Sequence, residues 1–175
     1  MKVKKIVVGP LAANCYVVYN DKKCLVVDPG ADYEKIKKFI GERELEGILI
    51  THYHHDHVGA LTELIRDYCT VIYNYRTLGE RKTDSFSFEV MANKGHREDC
   101  VSFIFEDFIF TGDFIFKDSI GRTDLEGGSI EDMKESLEKF KKLGKKFKVY
   151  PGHGDETTVK KEISTNPFLK NIDIL

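Results

Sequence analysis

The chain has 175 residues, 41% hydrophobic and 32% charged with both signs mixed, and a formal net charge of −2. That length predicts one domain over 1–175, burying about 70% of its unfolded surface, and the near-neutral charge gives no reason to expect nucleic acid as a partner. No apolar run approaches the roughly 18 residues of a membrane span, so a membrane is not expected either.

Cys15, Cys24, Cys69 and Cys100 form no Cys-x-x-Cys pair, and each sits in or beside an apolar run. Buried free thiols are expected, not a disulfide framework. The apolar start Ile6-Val7-Val8 is interrupted by Gly9-Pro10, too early for a signal peptide, so a cytoplasmic protein is expected.

Residues 3–8, 14–19 and 24–28 read as short strands, with Asn20-Asp21 opening a hairpin turn between the second and third. Pro29-Gly30 ends the third strand. Asp32 reads as the N-cap of a helix over 33–40, with Ile36, Phe39 and Ile40 on one face and Gly41 as its stop. Gly47-Ile48-Leu49-Ile50 is a buried strand, followed by Thr51-His52-Tyr53-His54-His55-Asp56-His57. Val58, Leu61, Ile65 and Tyr68 then recur at helical spacing, and Thr70–Tyr73 is another strand.

Residues 74–84 are polar and unpatterned, a surface loop in which Tyr73, Tyr75 and Arg76 either border a substrate pocket or face solvent. Phe86, Phe88 and Val90 alternate with polar residues in a half-buried strand. Val101–Phe105 and Phe108–Phe110 form a hairpin, ending in Thr111-Gly112-Asp113, and 114–128 is an irregular Gly- and Asp-rich loop. Ser129 caps a helix to about Leu143, with Glu131 and Asp132 in its first turn and Lys139, Lys141 and Lys142 near its end. The lysines from 139 to 148 read as a solvated helix end. Phe147–Tyr150 is the last strand, and a short helix starts near Thr157.

The chemistry concentrates at residues 51–57, which hold four of the six histidines. In a near-extended loop, side chains two apart point the same way, so His52 and His54 converge on one point. Asp56 and His57 face a second, near the positive end of the following helix. Imidazole and carboxylate suit zinc, iron or manganese. There is no Gly-x-Gly-x-x-Gly or Walker-type loop to support nucleotide chemistry.

His52-x-His54-x-Asp56-His57 resembles the signature of the metallo-β-lactamase superfamily. Gly95-His96, Thr111-Gly112-Asp113, Gly152-His153-Gly154 and the strand-end Asp28 match the rest of that pattern, in order. The resemblance implies an α/β fold, a four-layer αββα sandwich. It also implies two divalent metal ions, zinc foremost, with iron or manganese as alternatives. His52, His54 and His96 would bind one; Asp56, His57 and His153 the other; Asp113 would bridge both. Asp56 and Asp113 are the implied catalytic carboxylates. Asp28 would orient a ligand histidine or simply form the turn before Pro29-Gly30. His55 occupies a variable position.

Gly121-Arg122-Thr123-Asp124 and Thr165-Asn166-Pro167-Phe168 are similar to segments of the small hydroxyacylglutathione hydrolase (glyoxalase II)-like branch. The pattern departs from the family's at Asn93-Lys94, in place of Thr-Pro, and in the Arg97-Glu98-Asp99 that follows His96. The added helical domain that holds glutathione in glyoxalase II is not expected here. The implied activity is hydrolysis of a small acyl substrate, a thioester or related ester, by a hydroxide bridging the two metals. Arg122 would bind an anionic part of the substrate, or else pair with Asp124 or Glu126. Two other functions compatible with the resemblance are a mononuclear iron persulfide dioxygenase and a metal-holding regulator without turnover.

Overall fold

Side-chain alternation along the strands decides the layering. The computed structural model describes residues 1–144 and 146–175. A first sheet has five strands in the order β1 (Lys2–Val8), β2 (Ala13–Tyr19), β3 (Lys23–Val27), β4 (Glu44–Leu49) and β5 (Ile72–Tyr73). Helix α1 (Tyr33–Ile40) joins β3 to β4, and α2 (His55–Val58) and α3 (Leu61–Tyr68) join β4 to β5. The second sheet uses β6 (Gly79–Lys82), β7 (Ser87–Ala92), β8 (Val101–Ile104), β9 (Phe108–Gly112), β12 (Lys148–Pro151) and β13 (Thr157–Thr158), in the order β13-β12-β9-β8-β7-β6. Between β9 and β12 lie the small hairpin β10 (Ile115–Phe116) and β11 (Ser119–Ile120) and helix α4 (Ile130–Lys141). Helices α5 (Val159–Thr165) and α6 (Pro167–Lys170) follow β13.

Because successive side chains in a strand point to opposite faces, each central strand serves two cores. Cys15 and Val17 of β2, Cys24 and Val26 of β3 and Ile48 of β4 pack outward with Ile36, Ile40 and Leu64 of the helices. Their neighbours Tyr16, Val18, Leu25, Val27 and Leu49 pack inward against Phe88, Phe103, Phe110 and Tyr150 of the second sheet. The far face of that sheet, with Ile109 and Val149, is covered by Met133, Leu137, Phe140, Val159 and Leu169. The result is the αββα sandwich. Its middle layer is aromatic: Phe110 stacks on Tyr150 at 5.3 Å between ring centroids. Removing one such ring costs about 3–5 kcal/mol.

The strand directions gather the site. β3 and β4 are parallel, as are β9 and β12, and β7 runs the same way as β9 across the antiparallel β8. The loops after β3, β4, β7, β9 and β12 therefore leave at one edge. The sheets are joined there by Asn14 N donating to Gly152 O (2.7 Å) and Val101 N to Thr51 O (2.9 Å).

Several expectations need correction. The helix after His57 is broken at Gly59-Ala60, because the chain bends against Pro29-Gly30. Ala60 N donates to Pro29 O, and a Cβ at Gly59 would lie 2.2 Å from Gly30 O. The bend rotates the second piece, so Leu64 is buried and Ile65 is exposed. Asp32 does not cap α1 with its side chain. Its backbone is left-handed (φ 55°), and its carboxylate accepts instead from Gly9 N and Lys35 Nζ. The 74–84 stretch contains the edge strand β6, whose Glu80-Arg81-Lys82 hides any apolar alternation; charge suits an edge that must not pair further. The 114–128 loop contains β10 and β11; the short helix expected near Thr157 is α5, capped by Thr158 after the two-residue strand β13. Cys69 is exposed, while the other three thiols are buried.

Ser129 caps α4 as expected, accepting from Asp132 N. Within the lysine-rich stretch after it, Lys145 lies outside the described residues. Among the described residues, no helix is long and apolar enough to cross a membrane.

Candidate metal centre

Each ligand candidate lies just past a strand end, and hydrogen bonds on its outer side fix its orientation. Asp28 follows β3 in a left-handed conformation (φ 48°), which turns its carboxylate inward. That carboxylate accepts from Thr51 N (2.8 Å), Thr51 Oγ1 (2.5 Å) and His57 Nδ1 (2.9 Å). Since the Thr51 hydroxyl donates to Asp28, its lone pair is free to accept from His52 Nδ1 at 3.1 Å. His96 Nδ1 donates to the carbonyl of Arg122 at 2.8 Å. In His52 and His96 the outer nitrogen carries the proton, leaving the Nε2 lone pair to face inward; His57, bonded to Asp28 in the same way, would present its Nε2 lone pair once metal displaces its second proton.

The inward atoms form two sets. His54 Nδ1 lies 3.1 Å from His52 Nε2 and 3.0 Å from His96 Nε2. Asp113 Oδ2 completes this set, 4.0 Å from His52 Nε2 and 3.8 Å from His96 Nε2. In the second set, His153 Nε2 lies 3.2 Å and His57 Nε2 3.7 Å from Asp56 Oδ2. Asp113 faces this set too, with Oδ1 3.3 Å from His57 Nε2 and Oδ2 3.6 Å from His153 Nε2.

These spacings fit metal coordination better than hydrogen bonding. Bonds of 2.0–2.1 Å at tetrahedral angles put neighbouring ligand atoms about 3.3 Å apart. His57 Nε2 and Asp113 Oδ1 are fully buried without a hydrogen-bond partner, although they face each other. Without metal the two face each other at 3.3 Å as a protonated imidazole and a carboxylate, and a cation between them would take the place of that proton. The residues Asp28, His52 and His57 also cluster, but there the Asp28 oxygens already accept three hydrogen bonds, so the group supports the ligands from behind.

The protonation balance has the same origin. Burial pulls the His57 imidazole down, but the carboxylates of Asp113 and Asp28 outweigh it and push the pKa up to about 10. Burial raises Asp113, yet the facing His57 holds it well below the usual carboxylate range. His52 goes well down, first by burial and then by the neighbouring His57; His54 goes down by burial and His96.

His52 and His57 have no exposed surface, whereas His54 and His153 are half-buried and form the open side. His55 is exposed on α2. The Arg122 side chain is exposed and forms two bonds to the Asp124 carboxylate, 2.7 and 2.8 Å long, so its ion-pair reading describes the structure. What residue 122 gives the site is its main-chain carbonyl, which has no signature in sequence. Thr51 and the buried Asp99, which accepts from Tyr53 N and Arg97 Nε, were also not singled out by the motif. Their only sequence signal is adjacency to His52 and to the His96 loop.

The family model of the metallo-beta-lactamase superfamily matches residues 8–97. A Bacillus subtilis (strain 168) protein named probable metallo-hydrolase YqgX is 32% identical, with 99% of this chain and 100% of the relative covered. The hydroxyacylglutathione hydrolase GloC of Haemophilus influenzae is 29% identical over 98% of this chain and 99% of its own. The crystal structure of BLEG-1 B3 metallo-beta-lactamase superposes with a TM-score of 0.90 at 30% identity, covering 97% of this chain and 100% of that one.

Proposed function

Because the chain belongs to the metallo-beta-lactamase superfamily, we propose that its two His/Asp sets hold two divalent metal ions and that it hydrolyses a thioester or related ester. The observation that carries this reading is Asp113, whose two oxygens face both sets while one of them, Oδ1, is buried opposite the equally orphaned Nε2 of His57. Bound in such a pair, the ions supply hydroxide at neutral pH and polarise an acyl carbonyl.

The chain's own part is positional. Asp28, Thr51 and the Arg122 carbonyl hold three imidazoles with their Nε2 atoms inward. Asp113 sets the spacing between the two groups of ligands. His54 and His153 form the side from which an acyl group approaches. A thiolate leaves without a strong general acid. Cys100, four residues after His96, is no rival nucleophile: burial and then the nearby Asp99 push its thiol far up, so it stays protonated. The name of the Haemophilus influenzae relative supports a thioester as the bond cleaved.

The test is metal analysis of protein purified without added metal, together with a thioester and ester screen. About two zinc, iron or manganese ions per chain are expected, with hydrolysis lost on chelation and restored by metal. A reproducible single iron with oxygen uptake on glutathione persulfide would replace this reading by the dioxygenase. Bound metal with no turnover on any substrate would leave the regulator.

A further inference from the structure

Beside the first metal set lies a cavity of about 730 Å³, within the range of small-molecule sites. Part of its wall comes from two of the loops that carry candidate ligands. Tyr53 stands between His52 and His54, and Lys94 and Arg97 flank His96. The turn Asn74-Tyr75-Arg76-Thr77 adjoins Tyr53 and puts Asn74, Tyr75 and Arg76 into the lining. The departures at Lys94 and Arg97–Asp99 from the family's usual pattern all fall on this wall.

The turn is held in shape before any ligand arrives. Asn74 N donates to Thr77 Oγ1 (2.8 Å), Arg76 N to Asn74 Oδ1 (2.9 Å), and Asn74 Nδ2 to the Tyr53 hydroxyl (2.7 Å). Arg81 Nε braces it from behind through Thr77 O (2.9 Å). Tyr75 packs edge-on to Tyr53, with ring centroids 6.2 Å apart, and the Arg76 guanidinium lies 5.3 Å from the Tyr75 ring. An order this local, in an exposed polar turn, presents two rings and a cation at low entropic cost.

The charges around the cavity are unevenly committed. Asp99 is fully engaged by Tyr53 N and Arg97 Nε. Among the described residues, Arg76 and Lys94 have no carboxylate partner, and Arg97 uses only Nε on Asp99. Glu98 is the one lining carboxylate without an ion pair, so the cations outnumber the free acid.

We infer that this cavity binds the thiol half of the substrate through an oxyanion group, carboxylate or phosphate, with Arg76, Lys94 and Arg97 as its cations and Tyr53 and Tyr75 as its apolar platform. The inference rests on the hydrolase reading and adds the substrate class. The exposed Arg122, tied to Asp124, has no part in it. Guanidinium groups suit bidentate contact with either oxyanion.

The experiment compares kcat/KM of the metal-loaded protein for one acyl group on three thiols: glutathione, coenzyme A and neutral N-acetylcysteamine. At least one anionic thioester is expected to be preferred by about tenfold. An exposed ion pair contributes at most about fivefold, so Arg76→Gln and Lys94→Gln should each reduce that ratio by about three- to fivefold, through KM and not kcat. Which anion is preferred separates carboxylate from phosphate. A preference below about twofold, or one that neither substitution changes, overturns the inference.

If no thioester is hydrolysed, the hydrolase reading fails, and the cavity is read separately by calorimetric binding of non-hydrolysable S-alkyl thioethers of the two anionic thiols. Salt-sensitive binding weakened by Arg76→Gln supports the cavity; no binding of either thioether overturns it.

Discussion

Asp28→Asn changes one atom type and should reverse a tautomer. The Asp28 carboxylate accepts from the main-chain N–H of Thr51 on one oxygen and from Thr51 Oγ1 and His57 Nδ1 on the other. A main-chain N–H cannot turn round, so the introduced asparagine must keep its single oxygen on Thr51 N. Its NH2 then faces Thr51 Oγ1, which can rotate to accept, and His57 Nδ1, which can accept only by giving up its proton. The proton moves to Nε2 and points at the second metal set. The left-handed backbone at residue 28 (φ 48°) is one that asparagine tolerates, so folding should lose only about 1 kcal/mol from replacing a charged acceptor.

Metal affinity should suffer more. Loss of such an outer partner weakens a site by about 10–100-fold, equal to about 1.4–2.7 kcal/mol. The assay is competition with a chelator, followed by counting ions. The first set, held by His52, His54 and His96, touches Asp28 only through the Thr51 hydroxyl, so its ion should be weakened less and the second ion should be lost first. A variant that keeps both ions with affinities within about twofold of the parent would refute the tautomer argument.

Asp113→Ala should leave the metal-free fold largely intact but reduce bound metal below about two ions per chain and hydrolysis by at least about 100-fold, because nothing else faces both sets; near-normal turnover with both ions bound would exclude a bridging Asp113. Metal binding near pH 8 should release about one proton, from His57, whose metal-free pKa is pushed up to about 10; calorimetry in buffers of different ionisation enthalpy measures it, and apparent affinity should rise with pH up to that value. In the metal-free protein, the raised His57 contributes stability that is complete below its ordinary 6.5 and lost as pH rises towards 10. The lowered Asp113 contributes stability present above its ordinary 3.8 and lost as pH falls through its depressed value, so chemical denaturation should show the pair's full effect between about 4 and 6.5. Gly152→Ala would place a Cβ 2.2 Å from Asp113 Oδ1 and 2.7 Å from His57 Cε1; a loss of about 1–3 kcal/mol and of the second ion is expected, read by denaturation and metal count.

The clustering of the candidate ligands was legible because they are rare residue types at fixed spacing beside strand ends. The layering was partly legible, since Phe86, Phe88 and Val90 alternate, while the packing of two sheets face to face came from the family pattern. The break at Gly59-Ala60 was hidden, because an apolar repeat through Val58, Leu61 and Tyr68 survives a bend that only the contact with Pro29-Gly30 dictates. β6 was hidden because an edge strand of charged residues looks like a loop. The support given to His96 by the Arg122 carbonyl was invisible, because every residue type has a carbonyl.

The candidate ligands come from both halves of the sandwich: His52, His54, Asp56 and His57 from the loop after β4, and His96, Asp113 and His153 from loops of the other sheet. An ion bound in either set would therefore act as a cross-link, joining two layers that otherwise meet through side-chain packing and a few main-chain bonds. At free metal 100-fold above its dissociation constant, each such clasp adds about 2.7 kcal/mol to the native state. Melting temperature should then follow metal supply, and a starved chain would begin to part at the very edge where its chemistry sits.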